Sequence, residues 1–470
     1  MLPQWSIVGF TGHRDLTEPG QVASHIDSVL NRLSDGYGPL AAVSSLATGA
    51  DMLFLDVVTR LKLPLWLQLP FPLARFEKDF SPDDWQKVGQ YLKAALQVEE
   101  ITGSASDDEA YMEAGEKVVE EADVVVAIWD GKPAAGLGGT ADIVDYARKL
   151  EKPLIWINPV KGTIVEERLY HLVPQKNLPV SNDTTRDIVE AHFRELDESA
   201  LFHAPQARHL IQRIVLLHLL ASAVGLCVPT FGWQGSLEYA IAASELCVLS
   251  IAIFLTSAHR RRHEEWMHSR IEAEICRSFL ATWQIRHRTG NFFKMAIQGF
   301  DRLCKNLRLL QSLDANPPPD LAAARDTYLE QRLQGQINYF HEQSTTAQGV
   351  HNRLKTSALG CTIIATLMTA ACVLLPLIGW EGLSIQVSRW LSLILPLVSA
   401  ALFSITLTLE YSRRAARYRE MTAFLESKAR RLRRVRTWNG LIQIATEVEE
   451  QLVHEVVEWH SYSRFVATSH

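Results

Sequence analysis

The stretch Ser6-Ile7-Val8-Gly9-Phe10-Thr11-Gly12-His13-Arg14 decides how the first third of the chain is read. Residues 6–10 are a short apolar run of strand type, and Thr11-Gly12 ends it. Residues 22–33 then take up helical periodicity. A strand that passes through a glycine turn into a helix is the first unit of an α/β sheet, and the pattern continues outward from it. Residues 41–46, 65–69, 123–129 and 153–157 read as further strands. Residues 51–61, 107–122 and 140–150 read as helices. Strands this apolar, separated by helices, imply a mostly parallel sheet covered on both faces.

The turns that follow three of these strands carry the chemistry. In a parallel sheet, the loop between a strand's carboxyl end and the next helix is where phosphates bind. Glycine lets the backbone approach closely, and helix-start N–H groups favour an anion. After the first strand, Gly9, Thr11, Gly12, His13 and Arg14 supply two glycines, a hydroxyl donor and a guanidinium suited to bidentate pairing. A tight turn with a surface arginine is the simpler alternative. His13 reads as a ligand contact or turn residue rather than a catalytic base. After the next strand, Thr48, Gly49, Ala50 and Asp51 repeat the arrangement. Asp51 either caps the following helix or accepts a hydrogen bond from a ribose hydroxyl. A third strand ends in Trp129, Asp130 and Gly131. Gly138, Gly139 and Thr140 then open a helix with Asp142 in its first turn. Three such turns on one edge of one sheet predict a nucleotide or phosphorylated ligand. No catalytic residue, metal ligand or cofactor is assigned.

The remainder of the chain is of another kind. Residues 214–231, 237–257, 357–378 and 390–409 are four apolar stretches arranged as two hairpins. Each matches the ~20 residues a helix needs to cross ~30 Å of hydrocarbon. Residues 1–200 hold 18 Lys+Arg against 32 Asp+Glu, while the rest holds 29 against 21. The acidic front argues against nucleic-acid binding on a broad basic face. Basic residues gather beside the membrane ends instead, at Arg208 and Arg213, 259–263, Arg353 and Lys355, and Arg413, Arg414, Arg417 and Arg419. The turns at 232–236 and 379–389 carry only Glu381 and Arg389. This places both termini, the N-terminal domain and the 258–356 segment on the cytoplasmic side of the cell's inner membrane. The run 5–10 lacks the basic flank and long apolar core of a signal peptide, so the first membrane helix is expected to direct insertion. Six cysteines show no Cys-x-x-Cys spacing and suggest neither disulfides nor a zinc site.

Two polar features stand out in the membrane half. Glu245 falls near the middle of the second stretch. It either faces the bundle interior or water, or marks where a shallower apolar helix begins. His218, one turn inside the first stretch, reads as interfacial. Behind the first hairpin, Trp266, Arg270, Glu274 and Arg277 recur at helical spacing. A faint repeat aligns 333–344 with 452–463, each downstream of a hairpin, and suggests a duplicated unit.

Thr-Gly-His-Arg (11–14), Thr-Gly-Ala-Asp (48–51), Leu-Pro-Phe-Pro (69–72) with Asp79-Phe80, and Trp-Asp-Gly (129–131) followed by Gly-Gly-Thr-Ala-Asp (138–142) together resemble the SLOG superfamily over roughly residues 5–160. The resemblance implies a Rossmann-like fold that binds nucleotides or nucleotide-derived ligands. Its Lonely Guy phosphoribohydrolase relatives carry Pro-Gly-Gly-x-Gly-Thr-x-x-Glu. Here the proline is absent and Ile143 stands at the catalytic Glu position, with Asp142 one residue earlier. The paired membrane helices, the Trp266–Arg277 pattern and the late helix with Glu447, Glu449, Glu455 and Trp459 resemble the SLATT effector module, here in tandem. That resemblance implies a pore-forming or membrane-disrupting effector in bacterial conflict or antiphage defence.

The expected architecture is therefore an α/β Rossmann-like N-terminal domain with a mostly parallel sheet (1–160), then an extension and linker (161–207). An all-α membrane domain of four transmembrane helices with long cytoplasmic helices follows (208–356 and 357–470). The expected function is a homo-oligomeric membrane effector gated by a nucleotide-derived signal. The partners are that ligand and the lipid bilayer, with no nucleic acid. A membrane-anchored nucleotide hydrolase and a constitutive channel or transporter are the alternatives.

Overall fold

The computed structural model describes residues 2–134, 136–175, 184–285, 294–314, 316–317, 319–377 and 382–468, with backbone alone over 204–211, 257–265 and 459–468 and at 383. Seven strands form one sheet: β1 (Ser6–Gly12), β2 (Leu40–Ser44), β3 (Leu65–Leu69), β4 (Gln97–Glu100), β5 (Val124–Ile128), β6 (Leu154–Ile157) and β7 (Ile164–Glu167). Their order is β4-β3-β2-β1-β5-β6-β7. All neighbours are parallel except β6 and β7. Strands β1, β2, β3 and β5 are buried along almost their whole length, which is why they read as continuous apolar runs rather than alternating ones.

The intervening helices are α1 (Pro19–Tyr37), α2 (Ala50–Arg60), the single turn α3 (Leu73–Phe76), α4 (Pro82–Ala94), α5 (Asp107–Glu121) and α6 (Thr140–Lys149). Proline at the first position starts α1 and α4, where no intrahelical donor is lost. Ser81 and Ser106 cap α4 and α5 by accepting the Asp84 and Glu109 N–H groups, each at 3.2 Å. One sheet face packs Val8, Phe10 and Val126 against α1, α2 and α4. The other packs Ile7, Val43, Trp66 and Val125 against α5 and α6.

The residues read as an extension begin with β7, whose Ile164 and Glu166 alternate outward at the sheet edge. Beyond it lie α7 (Thr185–Gly225), α8 (Cys227–Phe231), α9 (Ser236–Ala281), α10 (Asp301–Leu313), α11 (Leu321–Thr327), α12 (Gln334–Leu377), α13 (Leu383–Thr408), α14 (Tyr411–Leu432) and α15 (Trp438–Thr468). A π-helical segment, Tyr328–Leu333, joins α11 to α12. The break between α7 and α8 falls where Pro229 has no N–H to offer the Gly225 carbonyl.

The chain forms two compact units. The first holds Met1–Phe193, Ile275–Arg325 and Val435–Glu450, so the sheet shares its unit with α10 and the start of α15. The second holds Arg194–Glu274, Asp326–Arg434 and Gln451–His470.

Among the described residues, four helical stretches are long and apolar enough to cross a membrane: Gln212–Phe231, Ser236–Thr256, and the apolar parts of Leu321–Leu377 and Ser384–Leu432. Their large apolar side chains point outward, with Phe254 72% and Leu377 78% exposed. In water this surface would drive aggregation, and in hydrocarbon it is satisfied. A few side chains reach backbone carbonyls of neighbouring helices. Ser399 donates to the Ala358 carbonyl at 2.9 Å and sits 3.0 Å from the Thr362 hydroxyl. Trp390 donates to the Ala223 carbonyl at 3.3 Å. This is a membrane protein with a Rossmann-like α/β domain. Residues 378–381, the end of the third apolar stretch and part of its turn, lie outside the described residues, as do the side chains of the basic 259–263 cluster.

Candidate functional site

Strand order reverses between β1 and β5: the chain proceeds outward from β1 through β2, β3 and β4, then returns to β5 and leaves through β6. In open α/β sheets the crevice outside the carboxyl ends at such a switch point is where ligands bind. Here His13 spans it. Its N–H donates to the Ile128 carbonyl at 3.1 Å and its own carbonyl accepts from Ala50 at 3.0 Å. Its Nε2 lies 3.1 Å from the Asp130 N–H and 3.2 Å from Asp130 Oδ1. The neutral ring accepts the amide proton there, whereas a protonated ring donates to the carboxylate. Asp130 also accepts from the Lys132 N–H and pairs with its ammonium, both at 3.0 Å. The Lys132 N–H first, then the other donors, hold the Asp130 carboxyl down to about 2.

The glycines divide into two groups. Gly9 lies inside β1, and a Cβ there would stand 2.7 Å from the Ala122 Cβ. It is a packing position beneath α5, away from the edge. A Cβ at Gly12 would stand 2.5 Å from the Ala50 Cβ and 3.1 Å from the Ile128 Cβ. Gly12 lets α2 start against the end of β1, so Gly12→Glu disturbs packing as well as any ligand. Gly49, Gly131 and Gly138 take positive φ values of 84°, 86° and 80°, which only glycine adopts readily.

Several polar residues expected at the ligand are occupied by their own loops. Asp51 is 1% exposed. Its Oδ2 accepts from Ser45 Oγ at 3.0 Å, Ala47 N–H at 3.2 Å and Ser44 Oγ at 3.3 Å, which ties the 44–47 turn to α2. Burial pushes its carboxyl up to about 7. Asp142 accepts the Gly138 N–H at 3.1 Å. Trp129, Ala50 and Thr140 are buried, and Trp129 donates to the Lys132 carbonyl at 2.8 Å. Ile143 is 2% exposed, with its Cδ1 in the place a Gly115 side chain would need. Along the edge Arg14 and Gly131 are exposed, and Thr11, His13, Thr48 and Asp130 are half-buried.

Arg14 has a setting that sequence reading missed. Its guanidinium stands 4.7 Å over the Tyr111 ring. The Tyr111 hydroxyl donates to Asp79 at 2.6 Å, and Arg75 bridges Asp79 and Asp107 at 2.6 and 2.5 Å. Two arginines and a tyrosine thus converge beside the β1 turn. The Leu-Pro-Phe-Pro turn and Asp79 are among the motifs quoted above but are given no place at the edge there, and nothing around Tyr111 distinguishes it from an ordinary helix residue. A shallow apolar groove lined by Val58, Lys62, Leu96 and Leu313 lies at the opposite, amino-terminal ends of the strands. Among the described residues no cluster of His, Cys, Asp and Glu is placed to hold a metal.

In the membrane unit, Glu245 turns toward the other arm of its hairpin. A Cβ at Gly225 would stand 2.8 Å from Glu245 Oε2. His218 Nδ1 lies 2.8 Å from the Ile214 carbonyl of its own helix. Arg270 contacts Asp197 and Glu274, and Arg332 of the π-helical segment pairs with Glu274 at 3.0 Å, with both partners nearly buried.

Asp51 yields a pH prediction. Its carboxyl is raised in the fold from an ordinary value of 3.8 to about 7. The folded state therefore holds a proton the unfolded state has lost, so this contribution is fully present below 3.8 and disappears as pH rises through about 7. Asp51→Asn is expected to flatten the fall in stability between about pH 4 and pH 7, by up to roughly 4 kcal/mol. Thermal unfolding of the full chain in detergent across that range measures it, and an unchanged slope refutes it.

No protein-family model and no curated protein matches the chain.

Proposed function

We propose that this protein is a membrane effector controlled by a nucleotide-derived signal bound at the β1/β5 switch point. The observation that carries this reading is the convergence of His13, Arg14, Asp130 and the positive-φ glycines on one sheet edge, in a chain with four helices suited to a bilayer. A phosphate meets helix-start N–H groups and the Arg14 guanidinium there. The resemblance to SLOG and SLATT modules supports the same division of labour and a role in bacterial antiphage defence. Ile143 at the hydrolase's acid position is committed to packing, and Asp142 to the Gly138 N–H, which favours binding over base release.

In this reading both termini and the α/β domain are cytoplasmic, and several subunits assemble, because four helices enclose little space. Glu245, packed at Gly225 in the resting hairpin, becomes part of the inter-subunit path when the bundle opens. Ligand gates the protein only through a difference in affinity between the two states. Dye release from liposomes carrying the full chain tests this, with and without the heat-released small molecules that co-purify with it. Leakage should require that fraction and fall in Glu245→Leu. Equal leakage in both cases indicates a constitutive channel. No leakage, with free base released from AMP, indicates an anchored hydrolase. Reporter fusions after Gly235, Leu310 and Ile385 should report outside, inside and outside. An outside signal at Leu310 overturns the topology.

A further inference from the structure

Helix α5 is engaged at both ends. It has 15 residues, so about 21 Å separates its termini. Its first turns belong to the candidate edge: Tyr111 lies under Arg14, and a Cβ at Gly138 would stand 2.8 Å from the Met112 nitrogen. Its last turn grips α10, which comes 180 residues later in the chain. Glu121 accepts two bonds from Arg308, at 3.1 and 2.5 Å, and pairs with Lys294 at 2.7 Å. Lys305 caps the carbonyls of Glu120 and Glu121 at 2.8 and 2.9 Å, placing a cation at the negative end of the helix.

Topology explains why α10 is there. Helices α1, α2 and α4 cover one face of the sheet, but the β4-to-β5 crossover leaves only α5 and α6 for the other. Helix α10 fills the gap. Leu309 joins the Ile7, Ala41, Val43 and Trp66 cluster, Asn306 accepts the Trp5 N–H, Gln97 donates to Ser312, and Arg308 stacks 3.8 Å from the Trp66 ring. In the chain, α10 lies between α9 and α12, the second and third helices able to cross a membrane.

Close packing surrounds α5 near both ends and at Gly115. Gly9, Gly115 and Gly138 each leave less space than a Cβ needs against α5 or the side chain packed on it. A displacement at one end therefore moves the helix as a body rather than being absorbed along it.

We propose that α5 is a relay: occupancy of the Arg14 edge by a phosphorylated ligand changes how tightly α10 is held at the other end of the helix. The proposal rests on the ligand reading above. Coupling of this kind is reciprocal, so disturbing either end must be felt at the other.

Amide hydrogen exchange on the full chain in detergent tests the relay without any ligand. Arg14→Ala, an exposed change, should accelerate exchange across 301–313 by about tenfold, and Lys305→Met should do the same across 107–114 and 136–142. Glu121→Gln should act more strongly in the same direction, and the two milder variants decide the matter if it fails to fold. Acceleration confined to each variant's own end overturns the relay. Saturating AMP serves as the ligand probe. Protection of 9–14 with a change at 301–313 supports both readings. Protection of 9–14 with none at 301–313 overturns the relay. Absent protection with the variants still coupled overturns the ligand class while supporting the relay.

Discussion

Arg308→Ala is expected to destabilise the first unit by roughly 3–5 kcal/mol, the cost of leaving a buried charge without its partner. Glu121 is 4% exposed. Burial alone would raise its carboxyl, but Arg308 and then Lys294 and Lys305 overcome that and hold it well below the usual carboxylate range. Alanine removes both bonds to Glu121 and the stacking on Trp66. Lys294 remains, 40% exposed and with a single contact at 2.7 Å, and Lys305 stays nearby, but neither replaces the two-bond pairing. Replacing both partners with methionine should cost much less, because no charge is then stranded. The pair also has a pH signature. A carboxyl lowered in the fold contributes stability above its ordinary value of 4.5, and that contribution is lost as pH falls below it. Denaturant unfolding of the full chain in detergent reads both effects. A single-variant loss under about 1 kcal/mol would show that α10 is not part of this core.

Gly49→Ala is expected to cost about 2–5 kcal/mol and to distort the candidate edge. The residue holds φ 84° and ψ −121°, a region in which any side chain is strained. The added Cβ falls on the Arg14 carbonyl oxygen, a backbone atom that has no rotamer with which to move aside. The turn cannot shift freely either, because Ala50 donates to the His13 carbonyl at 3.0 Å. Gly131→Ala is the control, since φ there is 86° but the space is open. It should cost about 1 kcal/mol. Equal losses in the two variants would mean that the contact with Arg14 contributes nothing.

The parallel sheet was legible because its strands are buried on both sides: β3 spans the predicted residues, and β1, β2, β5 and β6 differ from prediction by a few residues at their ends. Strands β4 and β7 were missed because Gln97–Glu100 and Ile164–Glu167 are edge strands half made of glutamate, with too little burial to leave an apolar run. The membrane helices were equally plain, since hydrocarbon demands unbroken apolar length. The glycine turns were found, but not which glycines serve packing. That depends on neighbours such as Ala122, distant in sequence from Gly9. The docking of α10 left no local signal. An Arg308 that pairs with Glu121 looks like any helix-surface arginine until the crossover of α5 exposes the face it covers.

In the proposed reading the switch-point edge holds a phosphate-bearing, nucleotide-derived molecule. Mass spectrometry of small molecules released by heat from the purified full chain tests it most directly, with the Arg14→Ala protein as comparison. Arg14 is exposed and its substitution leaves the packed glycines untouched, so loss of ligand there is not loss of fold. A nucleotide-derived species is expected near one per chain in the wild type and depleted at least tenfold in Arg14→Ala, matching the loss of a charge-assisted bidentate contact. Equal retention by both proteins would move the site off this edge, and a wild-type protein that releases no phosphate-bearing molecule would contradict the claim.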